Sequence, residues 1–139
     1  MKSLILMLSI VSVLGSSCNN SKKLTGMVEQ LKAKWMLQSL AGQTDLSSLF
    51  NSRMPALEFD TKAMRVTGNA GCNNLNGPIS LDGAGQLSFG NLAMTRMACP
   101  GNGESLFTSA LSKVNRFSIN DNLLTLFDGQ EQLMTLIRQ

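Results

Sequence analysis

The sequence predicts a mainly β domain of the α+β kind, an antiparallel sheet curled into a small barrel-like form and crossed by one amphipathic helix. Three observations carry this. From Trp35 onward, apolar and polar residues alternate in short runs, the period of a half-buried strand. Gly, Asn and Asp turns separate those runs, as strands joined in sequence require. Only the stretch from Glu104 to Arg116 changes to a helical period. With 139 residues, 43% hydrophobic and 15% charged, the chain has room for one such domain.

The first strand is read at Trp35 to Leu40. Leu57 and Phe59 alternate with Glu58 and Asp60, a turn follows at 61–63, and Met64 and Val66 then alternate with Arg65 and Thr67. One apolar and one wet face make this an antiparallel hairpin. Ile79 and Leu81, the turn Gly83-Ala84-Gly85, then Leu87 and Phe89 repeat the pattern. Three more strands follow, around Phe117 and Ile119, at 123–127 and at 133–137, with turns at Asp121-Asn122 and Asp128-Gly129. That makes about eight strands. Between them, Leu106, Phe107, Ala110, Leu111 and Val114 fall on one helical stripe. Asn102 or Gly103 serves as cap, with Glu104 in the first turn and Lys113 and Arg116 at the end. Closure of the sheet hides its edge strands, which favours a barrel.

The N-terminus reads as an address. Lys2 gives a basic start, Leu4 to Leu14 is an apolar run of 11 residues, and Gly15, Ser16 and Ser17 are small. Residues 1–17 are therefore expected to be a secretory signal, since a spanning helix needs roughly 20 apolar residues. Cys18, directly after the small residues, resembles the acylated cysteine of a bacterial lipoprotein. The alternative is ordinary signal cleavage, which leaves Cys18 as a surplus thiol. Residues 18–34 carry Lys22, Lys23, Lys32 and Lys34 against Glu29 alone, whereas residues 35–139 carry seven basic against eight acidic groups. The basic balance thus belongs to this segment, read as a tether that lies along anionic lipid or serves as a solvated spacer. A nucleic-acid binder would carry its basic groups on the folded domain among stacking aromatics, so that class is excluded.

The chain holds no His and no Tyr, which removes imidazole bases, imidazole metal ligands, catalytic triads and phenolic acids. Glu58 and Asp60, two apart on a strand, share a face, the minimum for paired-carboxylate chemistry, but that face is read as the solvated one. Gly85 to Gly90 has the glycine spacing of a phosphate loop but lacks its Lys and Ser or Thr, and reads as a strand between turns. Asp82 reads as turn chemistry. Arg96 either presents a guanidinium to an anion or, the favoured reading, pins a loop by an ion pair.

Together, Trp35 with Leu37, Pro55-Ala56-Leu57-Glu58-Phe59, Gly68, Gly71-Cys72-Asn73 with Gly77, Met94-Thr95-Arg96-Met97-Ala98-Cys99, and Glu104 with Phe107, Ala110 and Leu111 resemble the META domain, as in HslJ-like heat-shock lipoproteins. The likeness runs over residues 35–139. It implies a small β-rich barrel-like fold with a helix, brings no agreed catalytic residues or cofactor, and implies a disulfide between Cys72 and Cys99. Cysteine parity in an oxidising compartment agrees, the alternative being two buried thiols. With 26 residues between them and no His beside them, they make neither a redox-active pair nor a zinc site. The expectation is a non-enzymatic lipoprotein of the bacterial cell envelope, anchored by Cys18 in the outer membrane facing the periplasm, binding an unidentified envelope protein or supporting the envelope under stress. The rival is a small barrel that carries a lipid or hydrophobic peptide tail.

Overall fold

The computed structural model describes residues 19–82 and 85–139. Residues 1–17, read as a signal, and Cys18 lie outside the described residues. Helix α1 covers Asn19–Leu31, and strands follow as β1 Lys34–Leu40, β2 Ala56–Asp60, β3 Arg65–Asn69, β4 Asn74–Leu81, β5 Leu87–Phe89 and β6 Ala93–Met94. Helix α2 covers Gly103–Lys113, and β7 Arg116–Asn120, β8 Leu123–Asp128 and β9 Glu131–Arg138 complete the chain. All strand pairs are antiparallel, in the order β5-β4-β3-β2-β1-β9-β8-β7, with β6 also on β4. The outer strands approach one another through the bridge of Gln86 with Arg116, and Leu87 N donates to the Asn115 carbonyl at 3.2 Å. The sheet is thereby nearly closed into a barrel, as expected.

Alternation places side chains as read. Leu57 and Phe59 of β2 are buried while Glu58 and Asp60 face solvent. The β2–β3 turn is set by Asp60, whose Oδ1 accepts from Lys62 N at 3.0 Å and Ala63 N at 2.9 Å. Trp35, Phe107, Phe117, Leu31 and Met134 are among the largest fully buried side chains and fill the interior. A buried hydroxyl pair, Ser39 with Thr135 at 2.6 Å, satisfies itself beside the irregularity in the β1–β9 pairing.

Three departures have physical causes. β4 begins at Asn74, well before Ile79, because Gly77 and Pro78 hide a strand whose Leu75 and Ile79 point inward. Gly77 is needed there, since a Cβ would come within 2.7 Å of Leu92. Helix α2 ends at Lys113, with β7 already begun at Arg116, and its buried stripe is narrow. Phe107, Leu111 and Val114 are buried while Leu106 is 44% exposed. The segment read as a tether holds α1, whose Met27 and Leu31, one turn apart, pack against the core.

Strand direction defines two ends. Where β1 begins and β9 finishes, α1 is fixed: the Trp35 indole donates to the Leu31 carbonyl at 2.9 Å, and Arg138 Nη2 donates to the Gln30 carbonyl at 2.9 Å. The Arg138 guanidinium also lies 4.8 Å from the Trp35 ring centroid. At the other end, β1 finishes, β3 turns into β4, and α2 starts.

Candidate functional site

The family-like motifs converge at that second end. The β3–β4 turn carries Gly71, Cys72 and Asn73; the segment after β6 carries Thr95 to Cys99; Glu104 opens α2. Gly71 has φ +107°, and a Cβ there would come within 2.6 Å of the Phe50 ring, so the turn needs glycine twice over. Cys72 and Cys99 are joined by a disulfide with Cα atoms 6.2 Å apart.

Asn73, only 3% exposed, is the centre of this arrangement. Its Oδ1 accepts from Met97 N at 2.7 Å and Thr95 Oγ1 at 2.9 Å. Its Nδ2 donates to the Met97 carbonyl at 3.1 Å and to Glu104 Oε1 at 2.8 Å. Its main-chain N–H donates to Glu104 Oε2 at 2.7 Å. One amide thus ties the β3–β4 turn, the Thr95–Cys99 segment and the first turn of α2, spending its full hydrogen-bonding capacity in a buried place. Both oxygens of Glu104 are committed to Asn73.

The sulfurs of Cys72 and Cys99 and a Glu104 carboxylate oxygen lie within 4.8 Å of one another. A metal would need thiolates, and these sulfurs are bonded to each other, so the cluster reads as a latch. Glu58 is exposed, and Asp60 is exposed and occupied with its turn. Arg96 is exposed and, among the described residues, makes no ion pair. The loop it was expected to pin is held by Asn73 instead, because a buried neutral amide can bind both the N–H and the carbonyl of Met97. Asp82 Oδ1 accepts from Gln86 N at 3.1 Å, a turn role as expected. Asp45, accepting from the Ser47 hydroxyl at 2.6 Å and from Ser47 N at 3.3 Å, has its carboxyl held below the ordinary value of 3.8, the hydroxyl bond being the larger cause.

Two clefts open beside the latch. One, of about 220 Å³, is lined by Leu49, Phe50, Cys72, Met97, Cys99 and Glu104 among others. The second, of about 300 Å³, lies between α2 and the start of β9, with Leu40, Leu49, Leu106, Ala110 and Leu133 along it and Lys113 and Glu131 also lining it. Leu49 lines both. Met97, 57% exposed, and Leu106 flank them, and among the described residues these are the large apolar side chains most open to solvent. Leu106 belongs to the apolar stripe of the sequence yet faces a groove, and Asn73, one residue of a turn motif in the sequence, is the hub of this end. An apolar stripe cannot tell which of its members faces a groove, and Asn73, followed by Asn74 in a polar turn, carries no mark of burial.

Known proteins show the same architecture. A solved protein structure determined by NMR is 25% identical, with a TM-score of 0.61, over 80% of this chain and 93% of its own. An NMR structure of a protein from Burkholderia xenovorans is 22% identical, with a TM-score of 0.64, over 98% and 99% of the two chains. A duf4847 family protein from Bacteroides vulgatus, 13% identical, shares the fold with a TM-score of 0.54 over 78% of this chain and 94% of its own. No curated protein matches the chain. The META domain model matches residues 29–139, which takes in the end of α1, the barrel and the whole Asn73 latch, and the chain therefore belongs to the META domain family.

Proposed function

We propose that the protein is a non-enzymatic lipoprotein of the bacterial cell envelope, held by a lipid on Cys18 in the outer membrane facing the periplasm, whose META domain binds a protein partner and supports the envelope under stress. The observation that carries the binding reading is the contrast between inside and outside. Trp35, Phe107 and Phe117 fill the interior, while Met97 and Leu106 stand in solvent around two clefts. Of the acidic groups that chemistry would use, Asp60 is engaged in its turn and Glu104 on Asn73, and Glu58 lies exposed on the sheet. Cysteine usage and the apolar run before Cys18 support the address.

A second reading is favoured by the apolar lining of the cleft between α2 and β9, which suits a short acyl or peptide tail. Complementation of a deletion strain separates both binding readings from catalysis. Met97→Asp with Leu106→Asp should abolish complementation at unchanged abundance, whereas Glu58→Gln, Asp60→Ala and Arg96→Ala should each retain it. Loss with Glu58→Gln in a folded protein would overturn the non-enzymatic reading, because that change removes only ionisation. Native mass spectrometry of membrane-purified protein finding a retained apolar ligand would favour the carrier. Cys18→Ala should abolish fatty-acid labelling and release the domain from membranes; an unlabelled wild type sinks the lipoprotein reading.

A further inference from the structure

We infer that the Glu104 carboxylate guards the Cys72–Cys99 bridge against attacking thiolates, and that small anionic thiols are the reagents it turns away most strongly. Both cysteines and Glu104 are half-buried, and all three line the cleft of about 220 Å³. A reagent that reaches the sulfurs through this cleft therefore meets the carboxylate as well. Among the described residues lining the cleft, Glu104 alone is charged. One of its oxygens lies within 4.8 Å of both sulfurs. It is held there, because its two oxygens accept from the Asn73 main-chain N–H and Nδ2 at 2.7 and 2.8 Å. The Arg53 guanidinium is turned to the Cys72 carbonyl and Asn74 Oδ1, at 3.1 and 2.9 Å, and is not part of the lining.

A thiolate opens a disulfide by bonding to one sulfur while the S–S bond breaks and the other sulfur departs as a thiolate. A second thiol then displaces the first. The reagent leaves as its own disulfide, the bridge gains two electrons, and two protons complete the freed thiols. During the first step one negative charge is spread along three sulfurs. A fixed carboxylate opposes that charge, and two unit charges about 5 Å apart repel in water by enough to slow the step about fourfold, more where the cleft walls exclude water. Further negative charge on the reagent adds to the repulsion, and positive charge offsets it. What the guard preserves is the covalent tie between the β3–β4 turn and the segment that carries the exposed Met97 into α2.

The test reduces the full chain, in neutral detergent, with 2-mercaptoethanesulfonate, 2-mercaptoethanol, cysteamine and the uncharged tris(hydroxypropyl)phosphine. Freed thiols are alkylated and counted by mass spectrometry. Each rate is divided by the same reagent's rate with a small uncharged disulfide, which removes differences in intrinsic nucleophilicity. Cationic cysteamine should lead the anionic sulfonate by about fourfold or more in about 0.01 M salt, and the gap should close in about 1 M salt, where screening acts within about 3 Å. Glu104→Gln should narrow the gap at low salt and speed all three thiols, while the phosphine rate stays within about twofold. A latch merely loosened by that change would speed all four reagents alike. Equal normalised rates in wild type, a gap that salt leaves unchanged, or a variant faster by one common factor with thiols and phosphine overturns the guard. The wild-type salt series decides the matter even if Glu104→Gln fails to fold.

Discussion

Replacing Asn73 by Asp isolates what the latch contributes. Shape and both acceptor contacts, from Thr95 Oγ1 and Met97 N, are kept. The donor Nδ2 becomes an oxygen facing Glu104 Oε1, now at 2.8 Å, and the Met97 carbonyl, now at 3.1 Å. A neutral hydrogen bond contributes about 1 kcal/mol and one to a charged group about 1.5–3 kcal/mol, so one of each lost, with carboxylate repulsion added, costs about 3–5 kcal/mol. The assay is urea unfolding followed by circular dichroism, where the midpoint should fall with the slope unchanged. Repulsion raises the introduced carboxyl's folded-state pKa, so the penalty is full at neutral pH and shrinks as pH falls through that pKa. Adding Glu104→Gln places an amide opposite the new carboxylate and keeps an oxygen on the main-chain N–H of residue 73. About half of the loss should return, a coupling only direct contact produces. A cost below about 1 kcal/mol, or no recovery in the double variant, would refute the latch as the organiser of this end.

Breaking the disulfide by Cys72→Ala or Cys99→Ala should lower the melting temperature about equally, with a loss of about 3.5 kcal/mol for the sequence separation of 27; two freely alkylated thiols in native protein would contradict the bridge. Gly103→Ala should destabilise strongly, because a Cβ there would overlap the Leu49 carbonyl, whereas Gly26→Ala meets open space in α1 and should stabilise by up to about 1 kcal/mol, both read by thermal melts. Ser47→Ala should raise the Asp45 pKa towards its ordinary value, as followed by NMR titration. Because that pKa is depressed in the folded state, the Asp45 contribution to stability is present above the unfolded value and lost as pH falls through the folded one.

The hairpins were legible because each is local: Leu57, Phe59, Met64 and Val66 alternate around a turn that Asp60 closes within three residues. The disulfide was legible from parity and resemblance. What escaped depends on partners distant in sequence. α1 holds only by meeting Trp35 and Arg138, and its Asn-Lys-rich start reads as a solvated spacer. β6 is two residues long, too short to show a period. Asn73 reaches Met97 and Glu104 across 24 and 31 residues, and nothing adjacent to it announces the meeting.

The position of β1 between β2 and β9 governs how this chain can acquire its structure. Ser39 and Thr135, hydroxyl to hydroxyl in the core, are 96 residues apart. β1 therefore waits for β9, and the sheet keeps an open seam through its middle until β9 has been made. The same wiring makes its final residues indispensable: Arg138 and Gln139 close onto Gln30 and Lys34, so trimming a few residues from the tail unfastens both ends of the molecule at once.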